Sequence, residues 1–277
     1  MSTGSNADRP TIVLKFGSSI LTHEQEVWAV VSEIKRELAR GRTVVAVVSA
    51  MWGVTDRLIE GAKKVVESLD GPALARLLAT GEHVTASLVS LALAQEGIGH
   101  TLLDARALRL RAEGPTADSD PVSVDSDAIE RALGRGPVVV LPGFEAVDEN
   151  GEATLLGRGG SDLTAVFIAD AIGADVRLIK DVDGVYERDP ARVGPAPRRY
   201  SAIAYDRVGS VAGRLVQQKA VDYAAERNLP IRVTALNSDT GTLITNHTEL
   251  DTPSNPTVQV EPVETLLNRT ASAASRH

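Results

Sequence analysis

Cysteine is absent from the 277-residue chain, which excludes disulfides, thiolate metal sites and a cysteine nucleophile. Aromatic residues make up only 3%, a proportion that suits Val, Ile and Leu strands under Ala- and Leu-rich helices better than a β-sandwich. No run of about 18 apolar residues is expected to span a membrane, and the polar start Met1-Ser2-Thr3-Gly4 has no signal-peptide core, so the expected location is the cytoplasm. Basic residues are the minority, 29 Lys and Arg against 37 Asp and Glu for a net charge of −8. That field does not attract nucleic acid, and neither nucleic acid nor membrane is an expected partner. An anionic ligand must instead be held locally, by a few placed cations and backbone amides. The five histidines, His23, His83, His100, His247 and His277, have no ligand-like spacing, and no protein metal site is expected. The Walker pattern is missing, and the third glycine of the dinucleotide fingerprint is replaced by Asp162.

What is present is a set of strand-to-helix units. Residues 11–16 form an apolar run that ends in Gly17-Ser18-Ser19, and residues 24–40 carry Val27, Val30, Val31, Ile34 and Leu38 at helical spacing. Residues 43–50 read as a buried strand, followed by helical patterns over 54–68 and 73–95 and strand candidates at 101–103 and 137–141. Asp148-Glu149-Asn150-Gly151 reads as a hairpin turn. A helix over 161–172, a strand over 176–179, a helix over 213–227, a strand over 231–236 and a closing strand at 242–244 complete the pattern. Strands alternating with helices predict a three-layer α/β/α sandwich with a mostly parallel central sheet. The expected organisation is a flexible N-terminal tail over 1–10, one catalytic domain over 11–245 and a loose polar tail over 246–277, with no internal repeat.

Most of the small-residue breaks fall at the C-terminal ends of predicted strands, the edge where open parallel sheets place ligands. The richest is Gly157-Arg158-Gly159-Gly160-Ser161-Asp162, whose glycines let backbone N–H groups approach an anion at a helix N-terminus. Lys15 leaves the first strand just before Gly17, and Arg158 has the planar fork that grips a carboxylate. Taken singly, Lys15 reads as a strand-end lysine, Glu82 as a solvated helix residue and Asp162 as a helix cap.

Taken together, Lys15-Phe16-Gly17, Ser49-Ala50-Met51-Trp52-Gly53-Val54-Thr55, Gly81-Glu82, Leu141-Pro142-Gly143-Phe144, the Gly157–Asp162 turn, Asp181-Val182-Asp183-Gly184-Val185-Tyr186 and Asp189-Pro190 occur in the order seen in aspartate kinases. Over about 11–245 the chain resembles the catalytic domain of that family, within the amino acid kinase superfamily. The resemblance implies ATP and Mg²⁺ as cofactors and phosphorylation of the L-aspartate side-chain carboxylate. It makes Lys15 and Asp162 catalytic, with Asp162 organising the cations. Ser49, Thr55, Glu82, Arg158, Gly159 and Ser161 are placed at the amino acid. Lys15, Gly17, Ser18, Lys180, Asp181, Tyr186, Asp189 and Lys219 are placed at the nucleotide. The expected partners are a small amino acid and further copies of the chain, in a homodimer or larger homo-oligomer, with a separate regulatory chain as a further candidate. Other readings are a superfamily kinase acting on another small carboxylate, carbamate or phosphonate, and a nucleotide-binding protein without turnover.

The chain also departs from the family. Gly17-Ser18-Ser19-Ile20 is closer to glutamate 5-kinase, Lys180 stands where aspartate kinases usually have threonine, and Ala191 stands where an arginine often follows Asp-Pro. The family's nucleotide-contacting lysine falls on Leu215. Lys219, one helical turn beyond Leu215, is the first candidate to replace it, followed by Arg192 and Arg214. The short polar tail is not expected to form amino-acid-binding regulatory domains, so feedback by lysine or threonine within this chain is not expected.

Overall fold

The computed structural model describes residues 9–188, 196–211 and 215–251. In chain order the strands are β1 Thr11–Phe16, β2 Thr43–Val48, β3 His100–Leu102, β4 Arg111–Glu113, β5 Asp120–Ser123, β6 Val138–Pro142, β7 Glu145–Val147, β8 Ala153–Leu155, β9 Asp175–Lys180, β10 Tyr200–Ala204, β11 Ile231–Ala235, β12 Thr242–Thr245 and β13 Glu249–Leu250. The helices are α1 Val27–Ala39, α2 Val54–Lys63, α3 Gly71–Gln95, α4 Ser126–Arg135, α5 Gly160–Ala171, α6 Tyr205–Val211 and α7 Gln218–Arg227.

Nine strands form the main sheet in the order β13-β10-β12-β11-β9-β1-β2-β6-β3. From β11 to β3 every pairing is parallel, in register from Ile12 opposite Val44 through Lys15 opposite Val47 and Leu178. Parallel strands covered on both faces need apolar side chains in both directions, which is why Thr-Val-Val-Ala-Val-Val of β2 is buried throughout. The alternation splits the core in two. Ile12, Leu14 and Phe16 join α1 and α3 on one face. Val13 points to the other face, where α4, α5 and α7 pack. Lys15, two residues after Val13, shares the α5 face, and that register carries its ammonium to the functional crevice.

The expected three layers are therefore present, with two differences. β12 enters antiparallel to β11 and lies inside the sheet, so it does not close it. A separate four-stranded sheet, β5-β4-β7-β8, covers one end and includes the expected hairpin between β7 and β8. α3 is also long and apolar enough by composition to cross a membrane, contrary to the sequence expectation, because polar residues interrupt its apolar runs without lowering its average much. Half of that stretch is buried inside the protein, where it packs on α1 and β6.

Candidate active site

Two adjoining chambers open at the C-terminal edge of β1, β2 and β9. The first, about 780 Å³, is lined by Lys15, Gly17, Ser18, Asp162, Lys180, Asp181, Leu215 and Gln217 among others. The second, about 480 Å³, is lined by Thr55, Glu82, Ser161 and an apolar wall that includes Met51, Trp52, Phe144 and Leu155. Ser18, Ser49, Arg158 and Gly159 line both.

A buried charge cluster stands in the first chamber. Lys15 Nζ lies 2.7 Å from Asp162 Oδ1, and Lys180 Nζ lies 2.9 Å from Asp162 Oδ2. The backbone N–H of Gln217 donates to Asp162 Oδ2 at 3.3 Å. All three side chains are at least nine-tenths buried. Burial pushes the Asp162 carboxyl up, but Lys15 and Lys180 outweigh it and hold the group well below the usual carboxylate range. Burial lowers Lys15 to about 8, against the pull of Asp162, and the neighbouring Lys180 charge adds to the lowering. Two cations on one carboxylate leave net positive charge facing the chamber. A Cβ on residue 17 would come within 3.0 Å of Lys15 Nζ, so Gly17 keeps the space beside that ammonium open.

The Gly-rich turn is held by close approaches that only glycine permits. Gly157 and Gly159 have φ of +77° and +76°, and a Cβ at 157 would fall 1.9 Å from Asp118 Oδ1. The turn feeds α5 directly, so Asp162 sits in its first turn. Arg158 is exposed at the junction of the chambers, and its carbonyl accepts from the Gln217 amide. Phe144 adopts φ +73°, an unusual conformation for a bulky residue, with its N–H donating to Thr164 Oγ1 at 3.0 Å.

Glu82 is buried on α3, where its Oε1 accepts from the Ala50 N–H at 3.1 Å. Its Oε2 is buried without a hydrogen-bond partner among the described residues. Burial raises the group to about 7. A buried acceptor without a donor is costly, and a ligand ammonium is the donor that best answers it.

The structure thus brings Lys15, Gly17, Ser18, Ser49, Thr55, Glu82, Arg158, Gly159, Ser161, Asp162, Lys180 and Asp181 to the two chambers. Asp189, Arg192 and Arg214 lie outside the described residues. Tyr186 is not among the lining residues; its hydroxyl donates to Asp183 Oδ1 at 2.6 Å, and Arg199 holds the same carboxylate. Lys219 does not line the first chamber either. Leu215 lies ahead of α7, which begins at Gln218, so the two residues do not share a helical face. Lys219 Nζ instead holds Asp118 at 2.9 Å, Asp120 at 2.8 Å and the Ser119 carbonyl at 3.1 Å. Lys180, reaching Asp162 from β9, is a second cation in the lining of the first chamber, which also includes Leu215.

Sequence reasoning missed three contributors, Gln217, Asp118 and Phe144. Only Phe144 left a signal, as part of the Pro-Gly-Phe break. The Lys219 contact carries a prediction of its own. It fastens the β4–β5 turn, whose Ala117 lines the second chamber and whose Asp118 lies on Gly157. If the first chamber takes ATP and the second the acceptor, as the resemblance implies, Lys219→Ala is expected to leave the ATP Michaelis constant unchanged and to raise that of the acceptor by up to about fivefold, the equivalent of the ~1 kcal/mol upper range of solvent-accessible ion pairs. Steady-state kinetics in both substrates checks it.

The sequence profile of the amino acid kinase family matches residues 10–235. The chain is 36% identical over 252 residues to an aspartokinase of Pseudomonas aeruginosa, covering 89% of this chain and 61% of that protein. It is 32% identical over 245 residues to aspartokinase 2 of Bacillus subtilis, covering 87% of this chain and 60% of the relative. It therefore spans about 60% of the length of these curated relatives. Among solved structures, an aspartate kinase from Synechocystis superposes with a TM-score of 0.73 at 31% identity, covering 87% of this chain and 42% of the other. Escherichia coli aspartokinase III in complex with aspartate and ADP superposes at 0.69 with 23% identity, covering 87% of this chain and 65% of the other, a likeness of fold.

Proposed function

Because the chain belongs to the amino acid kinase family, we propose that it transfers the γ-phosphoryl group of MgATP to the side-chain carboxylate of L-aspartate. A carboxylate oxygen attacks the γ-phosphorus, the bond from that phosphorus to the β,γ-bridging oxygen breaks, and 4-phospho-L-aspartate and ADP result. The observation that carries the reading is the buried Lys15–Asp162–Lys180 cluster in the wall of the first chamber. Such transfer involves little covalent chemistry by the protein and depends on cations aimed at the oxygens that gain charge. Asp162 holds two ammonium groups in place and leaves their positive charge to the phosphoryl group. The acceptor lies in the smaller chamber, with its α-carboxylate on the Arg158 fork and its ammonium on Glu82. The names of the relatives support aspartate as that acceptor.

Mg²⁺ fits this site as part of the nucleotide substrate. Among the described residues no group of three or more acidic or histidine side chains forms a metal cage, and Asp162 is engaged by two lysines. Magnesium on ATP keeps its own waters and needs one or two carboxylates at most, for which Asp181 at the chamber wall is available. The cytoplasm, where ATP and free amino acids meet, is the compartment this reaction implies.

The apolar wall of Met51, Trp52, Phe144 and Leu155 favours a second reading, in which the acceptor is a longer amino acid with the same head group. Calorimetry with a non-hydrolysable ATP analogue tests the recognition. L-Aspartate is expected to bind at least about tenfold more tightly than succinate, which lacks the ammonium that satisfies Glu82. Equal binding of the two sinks the assignment of Glu82.

The pH dependence has a definite sign. Glu82 is raised to about 7, so its hold on an ammonium is lost as pH falls through that value. Lys15 is lowered to about 8, so its charge is lost as pH rises through that value. The acceptor kcat/KM is expected to fall on the acid side near 7, and the ATP kcat/KM on the alkaline side near 8. Glu82→Gln removes the acid limb and leaves the alkaline one. An acid limb that survives in Glu82→Gln belongs to another group, of which His83, paired with Glu145 at 2.7 Å, is the neighbour to test.

A further inference from the structure

The loop after β9 presents Asp181 and Val182 to the first chamber, whereas Asp183 through Tyr186 line neither chamber. These four residues are fastened instead to the segment that enters β10. The Tyr200 N–H donates to the Val185 carbonyl at 2.8 Å, and the Glu187 N–H donates to the Arg198 carbonyl at 3.0 Å. The loop is pressed close against that segment at Gly184, where a Cβ would fall 2.8 Å from Arg199 Cδ and 2.5 Å from Thr242 Oγ1.

Arg199 ties three separate parts of the chain to one guanidinium. Its Nη1 donates to Asp183 Oδ2 at 2.8 Å, to the Asp183 carbonyl at 3.3 Å and to Thr240 Oγ1 at 3.2 Å. Its Nε donates to Asp251 Oδ2 at 2.8 Å, and Nη2 lies 2.7 Å from the same oxygen. Thr240 belongs to the β11–β12 connection, which α1 holds through Arg36 and the Ser238 carbonyl at 3.0 Å. The other oxygen of Asp183 accepts from the Tyr186 hydroxyl at 2.6 Å. Both carboxylate oxygens are thus engaged within the protein, which gives Asp183 a holding role and leaves the chamber wall to Asp181. The Arg199 side chain is only 17% exposed, so these pairs are less screened than those of open surface.

Asp251 is brought to Arg199 by the main chain. β13 runs antiparallel to β10 with Leu250 opposite Tyr200, and the Asp251 N–H donates to the Arg199 carbonyl at 2.9 Å. The residue lies beyond the 10–235 stretch shared with the family profile, and that match assigns it no role.

We propose that Arg199 is a positioning residue for the loop that walls the first chamber, and that Asp251 orients it, so that a carboxylate outside the family profile sets how tightly MgATP is held. The inference rests on the first chamber taking the nucleotide. A loop already set in its bound conformation needs no ordering when the ligand arrives, so releasing it weakens binding without removing a direct contact. The planar fork is what allows one side chain to hold Asp183 and Asp251 together; a lysine supplies a point charge and no fork.

Substitutions in the full chain test the clamp. Arg199→Met is expected to raise the Kd of a non-hydrolysable MgATP analogue by about fivefold or more, and the ATP Michaelis constant with it, with kcat and the aspartate Michaelis constant near those of the wild type. Arg199→Lys is expected to fall between the two. Asp251→Asn keeps the Arg199–Asp183 pair and is expected to give a smaller rise, which vanishes in the background of Arg199→Met because Asp251 acts through Arg199 alone. Glu249→Gln, exposed on the same terminal strand, is the control and is expected to bind the analogue like the wild type. If Arg199→Met does not fold, Arg199→Lys and Asp251→Asn against Glu249→Gln decide the matter. Variants that melt earlier yet bind the analogue as tightly as the wild type overturn the positioning role and leave the nucleotide reading standing. So does an Asp251→Asn effect that adds in full to that of Arg199→Met. A wild type that does not bind the analogue overturns both.

Discussion

Lys15→Ala is expected to lower kcat by about 10²-fold or more, the loss seen when one preorganised donor to developing charge is removed. Lys15 ends a central strand, points to the α5 face by the register of β1, and is held at 2.7 Å by Asp162. In the variant Lys180 still neutralises Asp162, so the buried carboxylate keeps one partner and the fold is expected to survive. The phosphoryl group, by contrast, loses the cation beside Gly17. Because the other contacts lining the nucleotide chamber remain, the ATP Michaelis constant is expected to change much less than kcat. Steady-state kinetics with a thermal melt on the same sample separates the two effects. Turnover near that of the wild type in a folded variant removes Lys15 from the mechanism.

Asp162→Ala produces a different pair of losses. Removing one member of a buried charge pair typically costs about 3–5 kcal/mol, because the remaining charge is left without a partner. Here two ammonium groups are left, both nine-tenths buried. A residue that only capped α5 costs about 1 kcal/mol when truncated, so the size of the destabilisation distinguishes the two roles. Activity falls as well, for a reason that can be read from pH. Asp162 is the main influence that raises Lys15 against burial, and without it Lys15 is lowered further and gives up its charge at a lower pH. The residual activity is therefore expected to have an alkaline limb shifted to lower pH. Adding Lys180→Met to Asp162→Ala is expected to recover part of the stability and none of the turnover, since it removes one uncompensated charge without restoring a cation. A destabilisation of about 1 kcal/mol, with an unshifted alkaline limb, returns Asp162 to the role of a cap.

The sheet was legible where burial on both faces imposed unbroken apolar runs. β1, β2, β6, β9 and β11 were found within a few residues for that reason. Of the second sheet only the β7–β8 hairpin was, through its Asp148–Gly151 turn, because β4 is three residues long and pairs with β7 across a long stretch of chain. α4 was missed because only Ile129, Ala132 and Leu133 of its ten residues are buried, which leaves too thin an apolar stripe. In the site, Lys15, Asp162 and Lys180 sit on strand ends and a helix start, so their convergence follows from the order of elements. Gln217 and Asp118 reach the Gly-rich turn through contacts 55 to 59 and about 40 residues long, of which adjacent sequence holds no trace. The expectation for Lys219 failed because it carried the helical period of α7 back through Leu215, where the chain bends and the helix has not begun. Lys180 was read as a departure in the loop ahead of Asp181, and only the fold reveals it as the second ammonium on Asp162.

The central claim is that this chain phosphorylates the side-chain carboxylate of aspartate. The purified chain with MgATP, L-aspartate and hydroxylamine is expected to yield β-aspartyl hydroxamate in step with ADP, with glutamate and longer amino acids giving less and Lys15→Ala giving almost none. ADP release that is indifferent to aspartate, or hydroxamate formed from another acid while aspartate gives none, contradicts the account.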